Sequence, residues 1–253
     1  MKTALRFATL LALLLVALAV RAADPWKEKP YSEWTLEDVQ KVMSSSPWVK
    51  TVHVDAPWIK GGAHFLYSVP PGCGGRPEFG KPPSNPPQWS GDTSVVVSVV
   101  AFQVSWESAR TPRAARLRLR TLCAGEEAEE EDEAEIMEEY LEQEQEEYLI
   151  TVHAPDMQPF DALDEDALQQ STYLLLKKTK QKVAPARVII GRGPDRRTVF
   201  RLAFFFPKTD EAGQPWIAPE DKEVEFICQG ANKVVVKAKF QPAKMATRDG
   251  PDF

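Results

Sequence analysis

The residues best suited to chemistry lie at a corner between an apolar stretch and an arginine-rich one. The sequence W-E-S-A-R at 106–110 ends a run of apolar residues, and Glu107 could donate or accept a proton there if Arg110 or Arg113 adjusted its pKa. The other two catalytic candidates are Arg113 itself and His153, which lies in a later stretch of alternating apolar and polar residues. A simpler interpretation is an ion pair between a helix and the end of a strand, because structural ion pairs also perturb carboxyl pKa values.

Complete motifs for metal, nucleotide or nucleophile chemistry are absent from the sequence. Residues 75–81, G-R-P-E-F-G-K, imitate a phosphate-binding loop, but Pro82 stands where a Ser or Thr would hold magnesium. His53, His64 and His153 have neither the H-E-x-x-H spacing nor a C-x-x-C partner, so we expect no metal site. Serine-nucleophile signatures such as G-x-S-x-G are also missing. The sequence therefore predicts no cofactor.

An arginine-rich helix is predicted directly after this corner. Thr111 and Pro112 fit the N-cap and the first helical residue, where proline is favoured, and the pattern predicts a helix at 112–122. Three arginines share one side of that helix, and apolar residues occupy the opposite side: Arg113, Arg116 and Arg120 against Ala115, Leu119 and Leu122. These three arginines form the arginine face, a candidate binding surface.

Residues 126–147 form a strongly acidic segment, with 14 acidic residues and no Lys or Arg. An apolar stripe that begins at Ile136 and Met137 predicts a helix within 130–146. The segment can be a solvated helix face, an intramolecular cover over the arginine face, or a binding site for calcium or a basic partner. It lacks the D-x-D-x-D-G pattern of a calcium loop. Its closeness in sequence to the arginine face favours the intramolecular cover.

The first residues have the pattern of a cleaved signal peptide. Lys2 and Arg6 precede an apolar run, and V-R-A at 20–22 gives a small-residue cleavage pattern. The run is shorter than the ~20 residues that span a bilayer. We therefore expect residues 1–22 to be removed, leaving a chain with no membrane span. The expected product is a secreted or periplasmic protein with a single α+β domain at 24–253.

The net charge of the sequence is −6, but the charge is unevenly distributed. Residues 23–253 hold 28 basic and 37 acidic side chains, and 14 of these acids belong to the acidic segment. The body of the protein is thus mildly basic. We expect no nucleic acid partner; the expected partner is a protein or a polymer of the cell envelope.

Three cysteines allow one disulfide in an oxidising compartment. Their spacing alone does not decide the pairing. Cys228 lies on the apolar side of a predicted strand, as a buried free thiol would. Cys73 and Cys123 lie in loop-like sequence and are the expected pair.

The remaining patterns predict an α+β fold, with a mostly antiparallel β-sheet or sandwich and two or three peripheral helices. Thr35 and Asp38 form a capping box that begins a helix at 35–45. A Pro- and Gly-rich loop at 70–91 cannot pair in a sheet. Strands are predicted at 50–55, 63–69, 94–106, 148–154, 171–178, 185–191, 198–206, 223–229 and 233–240.

The last two predicted strands form a hairpin whose register can be assigned. Residues 230–232, Gly-Ala-Asn, form a three-residue loop. Pairing about this loop sets Glu225 opposite Lys237 and Cys228 opposite Val234. Opposite charges then lie on one face of the hairpin and apolar residues on the other.

Three blocks of sequence span most of the chain after the signal peptide. They are W-T-L-E-D-V-Q-K-V-M-S-S-S-P-W at 34–48, W-E-S-A-R-T-P-R-A-A at 106–115, and E-D-K-E-V-E-F at 220–226 with the following V-K-A-K-F-Q-P-A-K-M. These blocks resemble a family of exported bacterial proteins that has no established activity. The resemblance implies export and a shared fold, and it transfers no catalytic residue.

The expected function is that of a non-catalytic envelope protein with a binding or structural role. One alternative is a hydrolase-like enzyme whose site is assembled from scattered residues, with Glu107, Arg113 and His153 as its candidate members. Another is a carbohydrate- or peptide-binding module that uses exposed tryptophans, for which Trp58, Trp89 and Trp216 are the candidates.

Overall fold

A computed structural model describes residues 24–60, 65–66, 73, 98–124 and 138–253. The predicted signal peptide, nearly all of the Pro- and Gly-rich loop and the larger part of the acidic segment lie outside the described residues. Within those residues, no helix is both long enough and apolar enough to cross a membrane.

Two helices precede the first strand. The helix α1 (Pro25–Glu28) is a single turn, and α2 (Leu36–Ser45) begins at the predicted capping box. The Thr35 hydroxyl accepts the Asp38 N–H at 3.2 Å, and the Asp38 carboxylate accepts the Thr35 N–H at 3.0 Å. The apolar side of α2, centred on the fully buried Val39, packs against the first strand.

The described strands are, in chain order, β1 (Val49–Asp55), β2 (Phe65–Leu66), β3 (Val99–Trp106), β4 (Glu147–His153), β5 (Thr172–Leu176), β6 (Lys182–Val183), β7 (Arg187–Arg192), β8 (Val199–Pro207), β9 (Val224–Gln229), β10 (Val235–Phe240), β11 (Ala246–Thr247) and β12 (Gly250–Pro251). The helix α3 (Arg110–Ala124) follows β3, and α4 (Glu165–Ser171) precedes β5.

Most of these strands form two antiparallel sheets. The first sheet has the order β1–β3–β4–β8–β7, and β2 runs parallel to β3 beside it. The second sheet has the order β10–β9–β5–β6, and β11 pairs only with β12. This arrangement confirms the predicted α+β fold with a mostly antiparallel sheet.

The core lies between the two sheets, which pack face to face. Every second side chain of each central strand points inward, so aromatic rings from the two sheets meet. The ring of Phe204 lies 5.5 Å from that of Phe226, and the ring of Trp106 lies 5.2 Å from that of Phe240. The other face of the first sheet therefore carries the polar residues of β3, β4 and β8.

The predicted register of the β9–β10 hairpin is wrong by two residues. Glu225 pairs with Lys239 rather than with the lysine two positions earlier. The reason is the turn: residues 231–233 form a 3₁₀ turn in which Asn232 and Lys233 have φ values of 56° and 63°, which lengthens the loop. A shift of two residues keeps every side chain on its predicted face.

The predicted start of the arginine helix is also wrong. The helix α3 begins at Arg110, and its cap comes from Asp252 rather than from Thr111. The N–H groups of Arg110 and Thr111 donate to the Asp252 carboxylate at 2.6 and 2.9 Å. The Trp48 indole N–H donates to the Asp252 carbonyl at 2.6 Å, which fixes the tail beside α3.

Candidate functional site

The side chain of Glu107 is buried at the corner between β3 and α3. It is 8% exposed, and the Thr151 hydroxyl of β4 donates to its Oε1 at 3.1 Å. Burying a carboxylate costs free energy unless a positive charge or hydrogen bonds compensate it. Here the Arg116 guanidinium of α3 contacts Oε2, and Arg201 Nη2 of β8 lies 3.9 Å from Oε1. We call these four residues the arginine–carboxylate cluster.

Three elements bring this cluster together. The backbone N–H of Glu107 donates to the Leu149 carbonyl at 2.7 Å, which ties the corner to β4. Arg116 follows nearly two turns into α3, so its side chain reaches back over the sheet. Arg201 and Thr151 come from the adjacent strands β8 and β4. The positions of all four residues follow from the sheet order and from the direction of α3.

His153 lies beside the cluster, two residues after Thr151 and on the same face of β4. Burial, together with the positive charges of Arg201 and Arg116, lowers the pKa of His153 to about 4. The imidazole is therefore neutral at neutral pH. It forms no hydrogen bond with the part of the chain that the structure describes, so it can donate one and accept one.

The cluster carries a net positive charge at neutral pH. Burial and the charge of Arg201 lower the pKa of Arg116 to about 10, which still leaves the guanidinium protonated. Two guanidinium groups thus face a single carboxylate. Both arginine side chains reach solvent, with 37% of Arg116 and 44% of Arg201 exposed. Chemically, such an arrangement can hold an additional anionic group.

Arg113, predicted as a catalytic residue and as part of the arginine face, lies elsewhere. Its side chain is 6% exposed, and its guanidinium donates to the carbonyl oxygens of Tyr140, Leu141 and Gln143 at 2.7, 3.0 and 3.2 Å. It therefore holds the described end of the acidic segment through the backbone. Arg116 is the helix arginine that contacts Glu107.

The arginine face is accordingly not one continuous surface. Arg113 and Arg116 are three residues apart, about 60° around a helix of 3.6 residues per turn. Long side chains that start 60° apart can reach different partners, and here they do. Arg120 is exposed near the end of α3.

The acidic segment approaches the start of α3 at Glu138. Its carboxylate accepts a hydrogen bond from Arg110 Nη2 at 3.1 Å and another from the Tyr31 hydroxyl at 3.0 Å. These residues line a cleft of about 440 Å³ together with Trp26, Trp34 and Asp252. The carboxylates of Glu138 and Asp252 are both already hydrogen-bonded within this cleft.

The structure joins Cys73 and Cys123 in a disulfide, with Cα atoms 4.9 Å apart. Cys228 is a free thiol whose pKa is raised to about 12 by complete burial. In the described ranges, no group of three or more His, Cys, Asp or Glu side chains is arranged to hold a metal ion. Among the tryptophans proposed for ligand binding, Trp58 and Trp216 are half-buried, and Trp89 lies outside the described residues.

The sequence interpretation did not identify Arg201 or Thr151 as site residues. The available signal was the arginine within the otherwise apolar stretch V-F-R-L-A-F-F-F at 199–206. A second signal was the period-two spacing of Thr151 and His153, which puts both on the face away from the core.

Comparisons with protein-family models, with curated proteins and with solved structures found no match to this chain. The function proposed below is therefore inferred from the residues and geometry of this chain alone.

Proposed function

We propose that this is an exported, non-catalytic binding protein of the cell envelope, and that its arginine–carboxylate cluster binds an anionic group. The observation that carries the proposal is the presence of two partly exposed guanidinium groups, Arg116 and Arg201, around the single carboxylate of Glu107. One positive charge is left for a ligand.

The geometry of Arg201 supports this proposal. Its nearest guanidinium nitrogen is 3.9 Å from the Glu107 carboxylate, which is beyond hydrogen-bonding distance. Its N–H groups are thus available for a planar acceptor such as a carboxylate, or for a phosphate or sulfate. The neutral imidazole of His153 can add a hydrogen bond from the same face.

The environments of the two candidate proton-transfer residues, Glu107 and His153, support binding rather than catalysis. The Thr151 hydroxyl donates to Oε1 of Glu107, and Oε2 is in ion-pair contact with Arg116. A general base works best when its pKa lies near the operating pH, and that of His153 lies near 4. Neither side chain is poised to move a proton at neutral pH.

One sequence feature and one structural feature support the export part of the proposal. The apolar stretch after Lys2 and Arg6 has the charge and length of a signal peptide. A disulfide between Cys73 and Cys123 suits an oxidising compartment.

The second candidate function is a hydrolase-like enzyme. The observation that favours it is the convergence of Glu107 and His153 near the same two arginines. Turnover distinguishes the two functions: an enzyme converts an anionic ester or glycoside and loses this activity in Glu107→Gln, whereas a binding protein returns its ligand unchanged.

The binding proposal is tested by calorimetric titration of the purified protein with inorganic phosphate, sulfate and glucuronate. We expect Arg201→Gln to weaken binding of the preferred anion by about tenfold or more, since hydrogen bonds to charged groups contribute about 1.5–3 kcal/mol. Glu107→Gln should strengthen binding, because it removes the competing carboxylate.

Arg187→Gln is the matched control. Arg187 also lies on the first sheet and is partly exposed, but Glu147 pairs with it one to one at 3.1 Å. It should bind anions as the unmodified protein does. Equal affinities for Arg201→Gln and Arg187→Gln, or no binding of any of the three anions, would refute the proposal.

A further inference from the structure

A second cleft lies between the end of β5, the connection from β8 to β9 and the start of β9. Its volume is about 210 Å³. The residues that matter for its chemistry are Lys177, Lys178, Asp210, Trp216, Asp221 and Glu223. A water molecule occupies about 30 Å³ in the liquid, and pockets for drug-sized ligands begin at about 300 Å³. The cleft therefore has room for one small ring.

Two buried polar atoms at this cleft have no hydrogen-bond partner among the described residues. One is the indole Nε1 of Trp216, a donor, and the other is Oδ1 of Asp221, an acceptor. The second oxygen of Asp221 accepts the Ala218 N–H at 2.9 Å, and Lys178 Nζ stays 3.6 Å from Oδ1. Leaving a buried polar group without a hydrogen-bond partner costs free energy, so each of these atoms calls for a partner.

Unpartnered indole N–H groups also occur at Trp26, Trp58 and Trp106. Trp58 and Trp106 do not line this cleft. Trp26 lines the larger one, where the carboxylates of Glu138 and Asp252 are already hydrogen-bonded. Trp216 differs because a buried carboxylate oxygen without a hydrogen-bond partner belongs to a residue of the same cleft.

The indole donor and the carboxylate acceptor together indicate which chemical group can bind in this cleft. A hydroxyl group can accept a hydrogen bond from the Trp216 indole and donate one to the Asp221 carboxylate. The indole ring offers an apolar surface against which the carbon-bound hydrogens of a ring can pack. Two lysines and three acids surround the cleft, so its net charge is negative and disfavours an anionic ligand.

We propose that this cleft binds a neutral, hydroxyl-rich ring, namely one sugar unit of a glycan. The site is separate from the arginine–carboxylate cluster and does not depend on the function proposed for it.

The experiment is a titration of the purified protein with the methyl glycosides of glucose, galactose and N-acetylglucosamine, followed by saturation-transfer NMR and by calorimetry. We expect at least one of these glycosides to bind. Trp216→Phe keeps an aromatic ring but removes the N–H donor and part of the apolar ring surface, and it should weaken that binding at least fivefold. Asp221→Asn should also weaken it, because the neutral amide oxygen is a poorer acceptor.

Trp58→Phe is the matched control, since Trp58 is also half-buried with an unpartnered indole N–H but lies outside the cleft. It should bind the glycoside normally, as should Arg201→Gln. The proposal is overturned if none of the glycosides binds, which would leave water as the occupant, or if Trp216→Phe and Trp58→Phe bind equally well.

Discussion

Glu107 shows how the fold makes a buried carboxylate tolerable. A single strong partner leaves one of its two oxygens without compensation, and the fold instead supplies a hydroxyl, a helix arginine and a strand arginine. The two arginines in turn disfavour protonation of the neighbouring His153. The stability of the folded state should therefore respond to acid through this histidine.

We predict that the free energy of unfolding decreases as the pH falls from about 6.5 to about 4. The pKa of His153 is about 4 in the folded protein and ordinarily about 6.5 in an unfolded chain. Within this window the unfolded state binds more protons, so acid favours unfolding. A difference of this size corresponds to at most about 3 kcal/mol. Urea unfolding at a series of pH values measures the effect.

The His153→Gln variant should lose most of this pH dependence between 6.5 and 4, because it has no imidazole to protonate. His53→Gln, on β1, controls for the removal of a histidine as such. If His153→Gln keeps the full pH dependence of the unmodified protein, the protonation of His153 is not its cause.

At the residue scale, the sequence analysis grouped Glu107 and His153 with Arg113, and the structure places Arg116 rather than Arg113 beside Glu107. A helical projection gives the direction in which a side chain leaves the helix. It does not give the position of a guanidinium group several bonds away, which reaches the nearest acceptor. Arg113 meets backbone carbonyls and Arg116 meets a carboxylate. Arg201 was not identified because its partner is 94 positions earlier in the chain, and no local pattern records that distance.

At the element scale, α3 depends on a distant part of the chain for its cap. The carboxylate of Asp252 accepts the first two N–H groups of the helix and also lies near the positive end of the helix dipole. No local residue replaces it, since the predicted cap, Thr111, lies inside the first turn.

We predict that Asp252→Ala destabilises the protein by about 1 kcal/mol, the usual cost of losing an N-cap acceptor. Asp252→Asn keeps an acceptor oxygen and should cost less. Asp249→Ala is the matched control, because Asp249 is a largely exposed carboxylate of the same tail. Urea unfolding at neutral pH gives the comparison, and equal stability of the Asp252→Ala and Asp249→Ala variants would contradict the assigned cap.

The β9–β10 hairpin shows which part of an element can be predicted. Alternation of charged and apolar residues identified both faces correctly, because that pattern has a period of two. It could not distinguish two registers that differ by two residues, since both put the same side chains on the same face. The deciding feature was the left-handed conformation of Asn232 and Lys233 in the turn, which depends on local geometry that composition does not specify.

At the scale of the whole molecule, the charge is divided between a mildly basic body and the acidic segment. The described end of this segment is attached to α3 through Arg110 and Arg113, at Glu138 and at three backbone carbonyls. Ala124, where α3 ends, lies at the other end of that helix. The two described residues that flank the connection from 124 to 138 thus lie about 20 Å apart along α3.

We predict that deletion of residues 126–135, which removes eight carboxylates, increases binding to anionic polymers such as heparin. The gain should diminish with added salt, because exposed charges are screened. Replacing the eight acids with Gln keeps the length and should give the same gain. Unchanged heparin affinity and unchanged stability in both variants would refute the intramolecular cover.

The capping of α3 by Asp252 also orders events in time. The two capped N–H groups and their acceptor are separated by more than 140 positions, so a growing chain presents the start of α3 long before it contains the residue that completes it. Until Asp252 is synthesised, the start of α3, next to the corner that carries Glu107, lacks its cap. The residue that caps the helix beside the arginine–carboxylate cluster is therefore synthesised after every residue of the cluster, and a protease that removed the tail would remove this cap.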